Sequence, residues 1–249
     1  MPDVALAEAV AYVDELLGVG AYDEGEPSNG LMVDAGRPVT RIAAAVNTSF
    51  RSIAGAAAAG AELLLVHHTT WASIDLGLKE VKEARLLAAG VSLYGAHAAL
   101  DRHAELSPSV VLAERLGIAL GARFGLRGDS GVRGRALGTF EQFVARVGAE
   151  LRVRPEAWRN TDAFGHVALV TGGAGLTRHV EAARAAGCDT YLTGEGNMYT
   201  KLYAREAGIN LVLGTHYATE KHGVQAWAGR VAERLGLPWV FVTEEEDIL

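Results

Sequence analysis

The sequence predicts an α/β protein of two similar lobes, built on mixed, mostly parallel sheets. Three observations carry that expectation. Short apolar runs of strand length alternate with helical stretches along the chain. Helices stop at glycines, namely Gly60, Gly90, Gly187 and Gly208, because glycine adopts most readily the left-handed conformation that closes a helix. One unit also occurs twice: a glycine stop, an apolar strand, then Gly-x-His-x-x-x-Asp/Glu, first over 95–101 and again over 214–220.

The elements follow in order. Residues 5–17 place Val10, Val13, Leu16 and Leu17 at helical spacing, which predicts an amphipathic helix. Residues 18–28 read as a turn-rich loop, and Asn29-Gly30 leads into Leu31-Met32-Val33. A strand over 41–46 precedes an alanine-rich helix over 50–59. The continuous apolar run over 63–66 predicts a strand buried on both faces. A helix over 79–89, a strand over 91–94 and a helix over 108–116, with Pro108 in its first turn, complete the first half. The basic, glycine-rich stretch 123–135 reads as a linker. Thr139-Phe140-Glu141-Gln142 is a capping box that opens a helix over 140–150. A strand over 167–171 ends in Gly172-Gly173-Ala174-Gly175. Helix 176–186, strand 190–193, helix 199–207, strand 209–213, helix 218–235 and strand 239–242 finish the chain. The expected division is a first lobe over 1–125 and a second over 126–249, with the C-terminal segment returning to a metal site shared between the lobes.

The repeat extends beyond its motif. Residues 51–68 align without gaps on 178–195, sharing the leading arginine, three alanines, Gly60/Gly187 and Leu65/Leu192. Glu62/Asp189 and Ile53/Val180 are conservative pairs. Gly90-Val91-Ser92-Leu93 matches Gly208-Ile209-Asn210-Leu211, and one gap later the two Gly-x-His motifs coincide. This order is read as an internal duplication, with strand C-termini, where ligands collect in α/β sheets, forming the site.

Composition narrows the function classes. With 249 residues, 49% of them hydrophobic, the chain can bury a substantial core. A net charge of −7 and the lack of a long basic run argue against nucleic-acid and anionic-membrane partners. No apolar run reaches membrane-spanning length, and Met1-Pro2-Asp3 opens no signal-peptide pattern, so a cytoplasmic protein is expected. The single cysteine, Cys188, excludes an internal disulfide and a thiolate-rich zinc site; it is expected to be a buried small hydrophobe.

The chemistry concentrates in the repeated units. His67 and His68 are expected directly after a buried strand, where a turning chain lets both reach one cavity. His216 and Glu220, four residues apart, share a helix face if the helix starts near Thr215. His97 and Asp101 repeat that spacing. Imidazole and carboxylate together suit a borderline divalent metal, and the donors exceed what one tetrahedral ion needs, which points to two ions sharing a carboxylate. Glu195 stands where His68 stands in the first copy and is a ligand, a general base or a structural acid. His103, two residues after Asp101, is a surface residue or a neighbour of the ligands, while His166, His179 and His222 lack a partner pattern and are expected at the surface. The glycine turn at 172–175 is a tight turn or an anion cradle. Trp71 and Tyr199 follow the two site loops as pocket walls or core residues.

In the order Asn29-Gly30-Leu31, His67-His68, His97 to Asp101, Gly172-Gly173-Ala174-Gly175, Asp189 to Glu195 and Gly214 to Glu220, the chain resembles the Nif-three-like proteins, also called GTP cyclohydrolase I type 2 homologues. The resemblance spans nearly the whole chain. It implies two α/β lobes, a dinuclear metal centre between them and a ring-shaped homohexamer. It places metal ligands at His67, His68, Asp101, His216 and Glu220, with His97 and Glu195 as polar neighbours. Three departures stand out: Thr69-Thr70-Trp71 where the family has proline, Gly196-Asn197-Met198 where a further histidine is usual, and Ala98-Ala99 where polar residues are usual.

Two functions compete. One is a metal-dependent hydrolase of a small anionic or cyclic substrate, a nucleotide among the options, with Glu195 or His97 moving protons as catalytic residues. The other is a non-catalytic protein that binds or delivers metal or a cofactor precursor. A third reading, in which the histidines are structural, requires the duplicated pattern to be coincidence. Zinc, iron, manganese and nickel all suit the donors.

Overall fold

A computed structural model describes residues 3–21, 25, 27–126 and 130–245. Part of the expected loop over 18–28 and part of the expected linker lie outside the described residues. In chain order the elements are α1 (Leu6–Leu17), β1 (Asn29–Val33), β2 (Ile42–Asn47), α2 (Phe50–Ala58), β3 (Leu63–His68), α3 (Ala72–Asp75), α4 (Leu78–Ala89), β4 (Ser92–Ala96) and α5 (Ala98–Asp101). Next come α6 (Pro108–Arg115), β5 (Ala119–Phe124), β6 (Gly131–Arg135), α7 (Phe140–Leu151), β7 (Glu156–Trp158), β8 (His166–Val170), α8 (Thr177–Ala185) and β9 (Thr190–Thr193). The last are α9 (Met198–Glu206), β10 (Asn210–Leu213), α10 (His216–Leu235) and β11 (Trp239–Phe241).

The chain divides into a first unit, Met1–His103 with Val224–Leu249, and a second unit, Ala104–Gly223. This differs from the expected boundary at 125, for two reasons. Both ends of the stretch expected as a linker are strand: β5 and β6 pair antiparallel, and β6 continues onto β8 in the second sheet. The C-terminal β11 pairs parallel with β2, which ties the chain's end into the first sheet.

The first unit carries a five-stranded sheet in the order β1-β4-β3-β2-β11. It is parallel except for edge strand β1, which runs antiparallel to β4. β2, β3 and β4 are buried on both faces, as their unbroken apolar runs dictate. Ala43, Ala45, Leu64, Val66 and Leu93 pack with Ile53 of α2 and Leu86 of α4 into one core. α1 ends at Gly18 and α4 at Gly90, both in the left-handed conformation.

The second unit carries a six-stranded sheet in the order β5-β6-β8-β9-β10-β7. One cluster, centred on Phe143, Val147 and Leu151 of α7, packs against Val167, Leu169, Leu192 and Val212. The other gathers Val180, Ala183, Tyr191, Ala204, Leu211 and the buried Cys188. The capping box foreseen at Thr139 is present: Thr139 Oγ1 accepts from Gln142 N–H and Gln142 Oε1 from Thr139 N–H.

The duplication is visible in the pairings. β1-β4-β3-β2 in one sheet corresponds to β7-β10-β9-β8 in the other, with an antiparallel edge and two parallel pairings in each. Its polar clasps are kept as well. Glu62 accepts the N–H groups of Thr40 and Arg41 at the start of β2. Asp189 accepts those of Gly165 and His166 at the start of β8. Among the described residues no helix is long and apolar enough to cross a membrane.

Candidate metal centre

In the first unit the candidate residues sit at strand C-termini. His67 and His68 are the last two residues of β3, inside the strand and not after it, and His68 lies opposite Asn47 of β2. Their ring centroids are 4.7 Å apart. His67 is fully buried, and its Nδ1 lies 2.7 Å from the Ala96 carbonyl oxygen. A carbonyl only accepts, so Nδ1 carries a proton, and in the neutral ring the lone pair is left on Nε2. Nε2 faces Asp101 Oδ1 at 3.5 Å. His68 Nδ1 lies 2.7 Å from Asn47 Oδ1.

His97 precedes α5, the short helix that ends in Asp101. Asn29 Oδ1 accepts the N–H groups of both His97 and Ala99, which fixes the start of that helix. One ligand atom from each of His67, His68 and His97 lies within 4.8 Å of the others. Trp71 stands beside them, its ring 5.4 Å from His97 and 5.7 Å from His68, with its N–H donated to Ser28 Oγ.

In the second unit β10 ends at Leu213, and Thr215, at a φ of 65°, turns the chain into α10. His216 and Glu220 then share a face as their spacing requires: His216 Nε2 lies 3.1 Å from Glu220 Oε1. Glu195 Oε1 lies 2.8 Å from His216 Nδ1. Burial alone would push the His216 imidazole down, but hydrogen bonding and charge from Glu220 and then Glu195 outweigh it and hold the group up at about 9. Without metal the imidazolium therefore sits between two carboxylates, in a pocket that favours a cation.

The glycine turn completes this half. Gly172 has a φ of 73°, and a side chain there would overlap Glu220 Oε1 and come within 3.0 Å of His216 Nε2. Its N–H is taken by Thr219 Oγ1. The turn thus makes room for the acid.

The structure gathers His67, His68, His97 and Asp101 in the first unit and Glu195, His216 and Glu220 in the second. The Nδ1 atoms of His67, His68 and His216 each face an oxygen acceptor. This is the outer arrangement that metal-binding histidines use to present Nε2. The donor set of imidazole and carboxylate fits zinc, iron, manganese or nickel. Sequence reasoning missed Asn47, the Ala96 carbonyl and the spatial role of Gly172, none of which carries a local pattern. Asn197 caps α9 through Tyr199 and Thr200 N–H, so its departure from the family pattern has a structural cause. His222, expected at the surface, is mostly buried near Glu150, and burial lowers its pKa.

The profile of the Duf34/NIF3 (NGG1p interacting factor 3) family matches residues 4–247. The GTP cyclohydrolase 1 type 2 homolog of Deinococcus radiodurans is 34% identical, over 96% of this chain and 93% of the relative. Among solved structures, protein ybgI, of unknown function, is similar at a TM-score of 0.88 and 28% identity, covering 96% of this chain and 98% of that one. TTHA1606 from Thermus thermophilus is similar at a TM-score of 0.83 and 27% identity, covering 97% and 98%.

Proposed function

The chain belongs to the Duf34/NIF3 family, and on that footing we propose that it binds two divalent metal ions through His67, His68 and Asp101 and through His216 and Glu220. We further propose that it hydrolyses a small anionic or cyclic substrate, a nucleotide among the options. The observation that carries metal binding is the orientation of these histidines, each Nδ1 held by an oxygen acceptor. Bound ions would supply Lewis acidity and lower the pKa of a coordinated water toward neutrality.

The chain's own residues divide the remaining work. Glu220, only 3% exposed, supplies charge to offset the cations. Glu195 is the holder of the His216 ring; its exposed carboxylate also leaves it able to exchange protons with solvent. His97, beside Trp71 and the paired histidines, is the second candidate for proton movement.

A specific observation favours the non-catalytic alternative of metal or cofactor-precursor binding. Ala98 and Ala99, beside the first-unit ligands, are buried and apolar, and Asn197 is engaged as a helix cap. The deciding experiment is elemental analysis of tag-free protein, followed by a hydrolase substrate screen with and without chelator. About two ions per chain with chelator-sensitive turnover supports the hydrolase. Two ions without turnover supports the alternative, and metal-free protein that takes up none sinks both. A homohexamer, by family analogy, is the proposed assembly, and a monomer mass by light scattering at micromolar concentration would refute it.

A further inference from the structure

We infer that Asn47 is a positioning residue for His68, and that the buried carboxylate of Glu244 sets its orientation. The inference rests on the reading that His68 binds metal. Asn47 is the last residue of β2, opposite His68 in the parallel register, and its Oδ1 faces His68 Nδ1 at 2.7 Å. Taken alone, this contact leaves open which way the amide points and which ring nitrogen holds the proton.

Glu244 removes that ambiguity. It is 1% exposed, and its Oε2 accepts from both the backbone N–H and the side-chain Nδ2 of Asn47, each at 3.1 Å. Its Oε1 accepts from Ser49 Oγ at 2.5 Å. With these three donors converging, the carboxylate acts as the acceptor, so the NH2 end of the Asn47 amide must face it and the oxygen end must face His68. An amide oxygen accepts only, so His68 must place a proton on Nδ1, which in the neutral ring leaves the lone pair on Nε2. The carboxylate also polarises the amide toward a stronger acceptor, which raises the basicity of the ring.

The chain anchors Glu244 where this requires. Val242 N–H donates to Ala44 O, extending the β11–β2 pairing, and Arg51 Nε donates to Thr243 O. Val242 packs on Gly55, where a side chain would collide with it. Ser49, the remaining partner, is also the N-cap of α2. His67 and His216 are held directly, by a backbone carbonyl and by Glu195. His68 is held through an amide that borrows its direction from a residue 197 positions away.

The test uses the full-length protein labelled with ¹⁵N-histidine. Long-range ¹H–¹⁵N spectra of the metal-free protein read the His68 tautomer, and calorimetric titration with Co(II) reads affinity. Wild type should show His68 with its proton on Nδ1. Asn47→Leu should shift His68 toward the Nε2–H tautomer, weaken Co(II) binding about 10–100-fold and alter the visible Co(II) spectrum. Glu244→Gln keeps an acceptor toward Asn47, so it should preserve the tautomer and weaken binding less than Asn47→Leu. If Asn47→Leu does not fold, Asn47→Ser provides the same two readings. Wild-type tautomer and wild-type affinity in the Asn47 variant would overturn the inference. A wild type that binds no Co(II) would instead refute the metal reading, while the tautomer, read without metal, still decides whether Asn47 and Glu244 orient the ring.

Discussion

The two sheets offer the same positions and fill them with opposite chemistry. Ala45 pairs with Val66 in the first sheet, and Val170 pairs with Thr193 in the second. Two residues beyond, the first sheet presents Asn47 against His68, and the second presents Gly172 against Glu195. The first thus grows its candidate ligands from the strand, His67 and His68, and sets an amide against one of them. The second replaces the strand histidines by Gly194 and Glu195 and its asparagine by a glycine. It draws its candidate ligands from the helix, His216 and Glu220, into the space that the missing side chain of Gly172 leaves. One half is rich in imidazole and the other in carboxylate. The duplicated backbone fixes where donors can stand; the side chains decide which half carries the charge.

The largest effect that would break this comparison is expected at Glu220. Glu220→Gln keeps the volume and removes a buried negative charge, so metal affinity should fall by more than the ~10–100-fold of an outer partner. Glu195→Gln should fall within that outer-partner range and keep metal stoichiometry. Calorimetry and elemental analysis of both variants decide it; equal losses would show that the two acids share one role.

Gly172→Ala should come next. The added methyl overlaps Glu220 Oε1 at a backbone φ of 73°, so a loss of about 1–3 kcal/mol in stability is expected, together with weakened metal binding. Denaturant melts read the first and titration the second. Unchanged values would mean that the glycine is not what admits the acid.

Glu62→Ala and Asp189→Ala test the shared part. Each removes a carboxylate that accepts two backbone N–H groups at equivalent strand starts. Both should cost about 1–3 kcal/mol. Very different melting shifts for the two would argue that the clasps are not equivalent.

The imbalance of charge also predicts a pH dependence. In the metal-free protein the His216 pKa is raised to about 9 from a usual 6.5. A raised histidine contributes stability that is fully present below about 6.5 and is lost as pH rises through about 9. The proton also competes with metal, so affinity should climb across the same window. NMR titration of the His216 ring reads the pKa directly; a midpoint near 6.5 would mean that the two carboxylates do not cradle the ring.

The smallest effect is expected at Asn197. Asn197→Ala removes a helix cap and should cost about 1 kcal/mol by thermal melt, with metal affinity unchanged. A marked loss of affinity would move Asn197 from the helix to the site.

The sequence by itself determined the alternation of strands and helices, their glycine stops, the capping box at Thr139 and the duplication. These are local or periodic: a helix end needs a left-handed residue, and a buried strand needs an unbroken apolar run. It also nominated His97 with Asp101 and His216 with Glu220, because a His-x-x-x-carboxylate spacing is a statement about one helix face, His67 and His68 as an adjacent pair at a strand end, and Glu195 as the counterpart of His68 in the repeat. Only the tertiary structure decided the rest. Gly131–Arg135, within the expected linker, became strand because β8 offers β6 a partner edge, a condition that no local composition records. Asn47, Glu244 and Gly172 entered the picture through strand register and chain return. An asparagine at a strand end means little until a histidine stands opposite it and a carboxylate 197 residues later decides which way it points.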